Sequence, residues 1–135
     1  MLLIGTGTIA GIVKASGLNS DMIVLLEALH LPMAALAPVS GILMAGATAS
    51  TTAGATIASQ TFAGALTQAG VPALAAAATV HAGATVVDSL PHGSFFHATG
   101  GSVFMGVKER LKLIPFEAAV GLMATVSSVV VNLVV

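Results

Sequence analysis

The chain has 135 residues, 56% hydrophobic and 7% charged, with a formal net charge of -1 at pH 7 and a mean hydropathy of +1.04. Soluble domains carry about 25% charged residues, and a short chain exposes more surface than four basic and five acidic side chains can cover, so a water-soluble globule is excluded and lipid is the expected solvent. The lack of basic runs, Tyr and Trp argues against nucleic acid, and the lack of cysteine excludes disulfides, thiolate zinc sites and cysteine nucleophiles.

The expected fold class is all-α, a polytopic membrane protein. Charge falls at Lys14, Asp21, Glu27, Asp88, Lys108, Glu109, Arg110, Lys112 and Glu117, so Ala28 to Val87 carries no permanent charge. Residues 1–13 are apolar, with no basic region before them and no small-residue cleavage site with a polar mature domain after them, and read as a truncated helix rather than a signal peptide. They would rise only roughly 20 Å against a hydrocarbon core of about 30 Å. Residues 14–31 mix Lys14, Asn19, Asp21 and Glu27 with Met22, Ile23, Leu25, Leu26 and Leu29 before Pro32 ends the pattern. An amphipathic helix at the membrane interface and a short solvated connector both fit.

The uncharged run from Ala34 to Leu66 is too long for one perpendicular span of about 20 residues and too short for two spans and a turn. A break is expected at Thr48-Ala49-Ser50-Thr51-Thr52, because small hydroxylated residues compete for their own backbone groups. Residues 34–67 would then form a re-entrant helical hairpin with its tip facing a site, since irregular backbone at membrane depth needs protein or a watery cavity around it. One long tilted helix, its hydroxyls bonded back to the preceding turn, is the competing reading.

Residues 72–107 are expected to form an interrupted transmembrane helix. Its break, Asp88-Ser89-Leu90-Pro91-His92-Gly93, combines a proline that removes a donor with a glycine that relaxes the backbone, freeing amides and carbonyls to bind. Residues 108–112 hold the basic cluster, a cytoplasmic loop by the positive-inside rule, and 113–135 are long enough for a last span.

Gly5-Thr6-Gly7-Thr8-Ile9-Ala10 fits the dinucleotide pattern G-x-G-x-x-A, but no repeated strands and polar-faced helices follow it. The same glycines, with Ala45, Gly46, Ala49, Ser50, Gly54 and Ala58, have the small-residue spacing of close helix packing. His81, Asp88, His92 and His97 form the most informative group, since ionisable side chains at membrane depth are costly and face a pathway or a partner. His81 and Asp88 would share one face of a continuous helix, which suits a proton relay. A membrane-embedded enzyme with a His/Asp metal site is the rival, although the tight H-x-x-x-H spacing is missing. Interfacial or packing histidines in a purely structural helical membrane subunit are the third reading.

Three stretches carry a resemblance that covers essentially the whole chain: Gly5 to Gly11, Met44 to Gly54, and His81 to Thr85 continuing through Asp88 to Gly101. They resemble the gluconate permease family, proton-coupled importers of gluconate and related sugar acids within an ion-transporter superfamily built from two inverted repeats. The resemblance implies that this chain corresponds to the C-terminal part of a permease about three times its length, in a bacterial inner membrane with multiple passes. It implies a substrate site formed by Thr48, Ser50, Thr51, Thr52, His92 and Ser94, with Asp88 and His81 carrying the coupling proton. The implied partners are a small sugar-acid anion, a proton, membrane lipid, the missing N-terminal repeat and, as an option, further copies of the chain. Neither cofactor, metal nor enzymatic activity is expected, and the isolated chain is not expected to transport.

Overall fold

The computed structural model describes residues 33–68 and 70–134, together with Val24 and Ala28, both helical. The truncated helix expected at 1–13 and most of the helix expected at 14–31 lie outside the described residues. Among those described the chain is all-α: α1 Met33–Thr48, α2 Thr51–Gln68, α3 Ala73–Thr85, α4 Ser94–Ser102, α5 Val107–Leu111 and α6 Ile114–Val134.

Alanine, the best helix former, dominates α3. Neither α1 nor α3 shows a sided apolar stripe, the pattern of helices apolar all round that are buried in protein or lipid. α1, α2 and α3 pack on one another, and α6 lies along α3. Their shared core comprises Ala37, Met44, Ile57, Ala58, Phe62, Leu66, Ala76 and Val80.

Small residues set how closely these helices approach. A Cβ built on Gly83 of α3 would overlap the main chain of Pro38, and one on Gly41 of α1 would overlap the carbonyl of Val80. Gly54 of α2 likewise meets the backbone of Ala45, so part of the small-residue stripe read from the sequence is a contact between α1 and α2. Polar groups in this core bond locally: Ser40, fully buried, donates to the Ala37 carbonyl at 2.7 Å. Thr125 ties α6 to α3 by donating to the Ala82 carbonyl at 3.0 Å.

The first interruption falls at Ala49–Ser50. Ala49 has φ 54°, a left-handed conformation that costs an L-residue roughly 1–2 kcal/mol. Ser50 then caps α2: its Oγ accepts the Ala53 amide at 3.3 Å and its carbonyl accepts the Gly54 amide at 2.8 Å. The single long helix is thereby excluded over this stretch.

At the second interruption α3 ends at Thr85, and the chain descends in tight turns. The amides of Asp88, Leu90 and Gly93 donate to the carbonyls of Thr85, Val87 and Leu90 at 3.3, 3.2 and 2.9 Å. Turn bonds thus take up three of the amides expected to be free near Asp88, while those of Ser89 and His92 find no acceptor among the described residues. The basic cluster also differs from the expected loop: Val107–Leu111 is a helical turn, started where the Glu109 carboxylate accepts the Gly106 amide at 3.1 Å.

Candidate functional site

The two interruptions meet. Thr51, the first residue of α2, donates its hydroxyl to the Asp88 carboxylate, and His92 donates from Nε2 to the Gly46 carbonyl at 2.9 Å, satisfying one of the acceptors left open in the last turn of α1. Gly93 is buried against the Ala49 carbonyl. Among the described residues the amides of Thr51 and Thr52 find no acceptor, as expected of the first amides of a helix, so hydroxyls and N–H groups collect at one place.

An open cavity of about 330 Å³ lies there, lined by Ser50, Thr51, Thr52, Asp88, Ser94, Phe95 and Ala98. Its size is at the small end of the range for small-molecule sites, about 300–1,000 Å³. Of the residues expected from the resemblance, Ser50, Thr51, Thr52, Ser94 and Asp88 are thus brought together. Thr48 stands behind the tip, its hydroxyl bonded to the Met44 and Ser50 carbonyls at 2.7 and 3.1 Å. His92 likewise holds the breaks together from outside the cavity wall.

His81 is not part of this group. Asp88 lies beyond the end of α3, so the shared helical face assumed for the pair does not exist, and the His81 ring is exposed. His97 donates to the Pro91 carbonyl at 2.8 Å, bracing the second break. Among the described residues no three of His, Asp and Glu gather as a metal-ligand set.

A second cavity, of about 340 Å³, also reaches Asp88 and Phe95 and is lined by Thr85, Asp88, Ser89, Phe95, Phe116, Glu117, Val120, Gly121 and Ala124. Glu117 accepts from Arg110 Nη1 at 2.6 Å. Arg110 is 3% exposed, its guanidinium over the rings of Phe95 and Phe96 at 5.9 and 5.2 Å. Its Nε and Nη2 find no acceptor among the described residues. Sequence reasoning assigned Arg110 to a solvated loop and Glu117 to nothing. The available signal is their spacing across the turn into α6, an acid in the first turn of an apolar helix facing a base one short helix earlier.

The chain is 59% identical over 131 residues to a Haemophilus influenzae protein described as an uncharacterized transporter. This chain is similar to a segment of that protein. The alignment covers 97% of the chain and 31% of the relative, so the chain spans about a third of the relative's length. No family model matches, and no solved structure matches. Residues 107–134 are long and apolar enough to cross a membrane, in keeping with a membrane location.

Proposed function

We propose that this chain forms the substrate-binding part of a proton-coupled transporter for gluconate or a related sugar acid, in the multi-pass architecture of a bacterial inner-membrane permease. The observation that carries this reading is the Thr51 to Asp88 hydrogen bond across the two helix breaks. Transport needs a site walled by elements that can separate, and here one wall is the Ala49–Ser50 tip and the other is the turn after α3.

The cavity chemistry suits a polyhydroxy carboxylate. Ser50, Thr51, Thr52 and Ser94 offer hydroxyls that both donate and accept. The N-terminus of α2, with the unbonded amides of Thr51 and Thr52, favours an anion. The Asp88 carboxylate already stands at that helix start. A second carboxylate about 4 Å away would be repelled by about 4 kcal/mol at an effective dielectric of 20. Protonating Asp88 removes the repulsion, so anion and proton enter together.

In this reading Thr48, His92 and Gly93 keep the two breaks in register, while the remaining repeat of the transporter supplies the opposite wall. The reaction is translocation, with no bond made or broken in the substrate. The test is uptake of labelled gluconate by the complete transporter in proteoliposomes under an imposed pH gradient. Asp88→Asn is expected to abolish gradient-driven accumulation, and undiminished accumulation would overturn the assignment.

A further inference from the structure

We propose that Glu117 is a second proton carrier, receiving the proton from Asp88 and delivering it to water at the α5–α6 corner. This rests on the transport reading above and adds the route by which the proton leaves. Asp88 lines both cavities, the hydroxyl-walled one, where the substrate would sit, and the one that holds Glu117. That second cavity is otherwise apolar apart from Thr85, Ser89 and Glu117. Two carboxylates thus line one largely apolar cavity, where ionisable groups are costly and mark proton pathways.

The groups facing Glu117 are Arg110 from α5, Ser89 and Asp88 from the turn after α3, and the ring of Phe95 from α4. Ser89 is buried, lines the same cavity as both carboxylates, and carries a hydroxyl that can donate and accept. Arg110 compensates the Glu117 charge when the carboxylate is empty. In the step itself, the Asp88 carboxyl O–H bond breaks and an O–H bond forms on Glu117, through Ser89 or water. Asp88 is left as a carboxylate and Glu117 as a neutral acid. Glu117 then gives the proton to solvent and re-forms its ion pair with Arg110. Asp88, charged again, takes back the Thr51 hydroxyl and disfavours the bound anion, so proton exit and substrate release are linked.

The experiment compares net accumulation with exchange, because exchange of labelled for unlabelled substrate needs binding and movement but no net proton release. In the complete transporter, Glu117→Gln is expected to lower pH-driven accumulation of labelled gluconate by about a hundredfold, the scale of losing a proton-transfer group, while equilibrium exchange persists. Glu117→Gln leaves Arg110 buried without its partner and can fail to fold. The double variant Arg110→Met with Glu117→Gln removes both charges and is expected to give the same split. Accumulation that survives Glu117→Gln, or that returns in the double variant, would show that Glu117 serves only as the partner of Arg110, and so would loss of exchange in both. A wild-type protein that exchanges gluconate but ignores the pH gradient would overturn the proton-coupled reading and this relay together.

Discussion

The Thr51 hydroxyl donates to the Asp88 carboxylate across 37 residues of sequence, binding the first residue of α2 to the turn that follows α3. One hydrogen bond thereby joins the two places where the helices of this chain are broken. A hydrogen bond to a charged acceptor contributes about 1.5–3 kcal/mol, comparable to a single strong contact in a binding site.

Thr51→Val keeps the shape of the side chain and deletes the donor. On the proposed reading it is expected to reduce gradient-driven gluconate uptake by the complete transporter by roughly tenfold or more, the equivalent of about 1.4 kcal/mol, with little change in the amount of folded protein. Thr51→Ser, which retains the hydroxyl, is expected to recover most of the uptake. Equal losses for both variants would show that the hydroxyl is not the operative group.

Gly83→Ala is expected to destabilise the protein by about 1–3 kcal/mol, since its Cβ would meet the Pro38 main chain and overpacking of this kind costs that much. Gly41→Ala should behave alike against Val80. Gly64→Ala faces open space in the middle of α2 and is expected to stabilise by up to about 1 kcal/mol through helix propensity. Thermal unfolding in detergent distinguishes the three, and a neutral Gly83→Ala would mean that α1 and α3 are further apart than described.

The Arg110 to Glu117 pair is asymmetric: the Arg110 side chain is 3% exposed and that of Glu117 is 33% exposed. Losing one partner of a buried pair costs about 3–5 kcal/mol when the other is left charged and dry. Glu117→Gln should therefore destabilise more than Arg110→Met, because only the first strands a fully buried charge. Unfolding temperatures of the two single variants and the double variant give the coupling directly. The reverse order would place the guanidinium in water.

His92→Phe is expected to cost about 1 kcal/mol, the net worth of a hydrogen bond, because the Gly46 carbonyl loses the His92 Nε2 donor. The loss should be felt where the breaks touch. Hydrogen exchange at the amides of residues 49–54 is expected to accelerate in this variant, and unchanged exchange would detach His92 from the tip.

Both interruptions are legible in the sequence because their causes are local. Ser50 caps within its own turn, and Pro91 with Gly93 lies in the non-helical stretch before Ser94, although α3 ends earlier, at Thr85. The candidate cavity is legible only in part. Its hydroxyls stand out as a run at Ser50 to Thr52, and Asp88 as a charge in an apolar stretch. Treating residues 72–87 as helix placed His81 and Asp88 on one face. α3 ends at Thr85, three residues before the aspartate, and the tight turns that follow obey no residue pattern strong enough to read.

Composition and periodicity alone determined that the chain is helical, that it is suited to lipid, and where its helices are interrupted, because hydropathy and backbone preference act within a few residues. Which hydroxyl meets which carboxylate was decided only by tertiary structure. The close approach of α1 and α3 at Gly41 and Gly83 brings the two interruptions side by side. The turn into α6 folds Arg110 back onto Phe95, Phe96 and Glu117 rather than into solvent. Such contacts join residues far apart along the chain, so they depend on how the helices cross, and no local stretch of sequence encodes that.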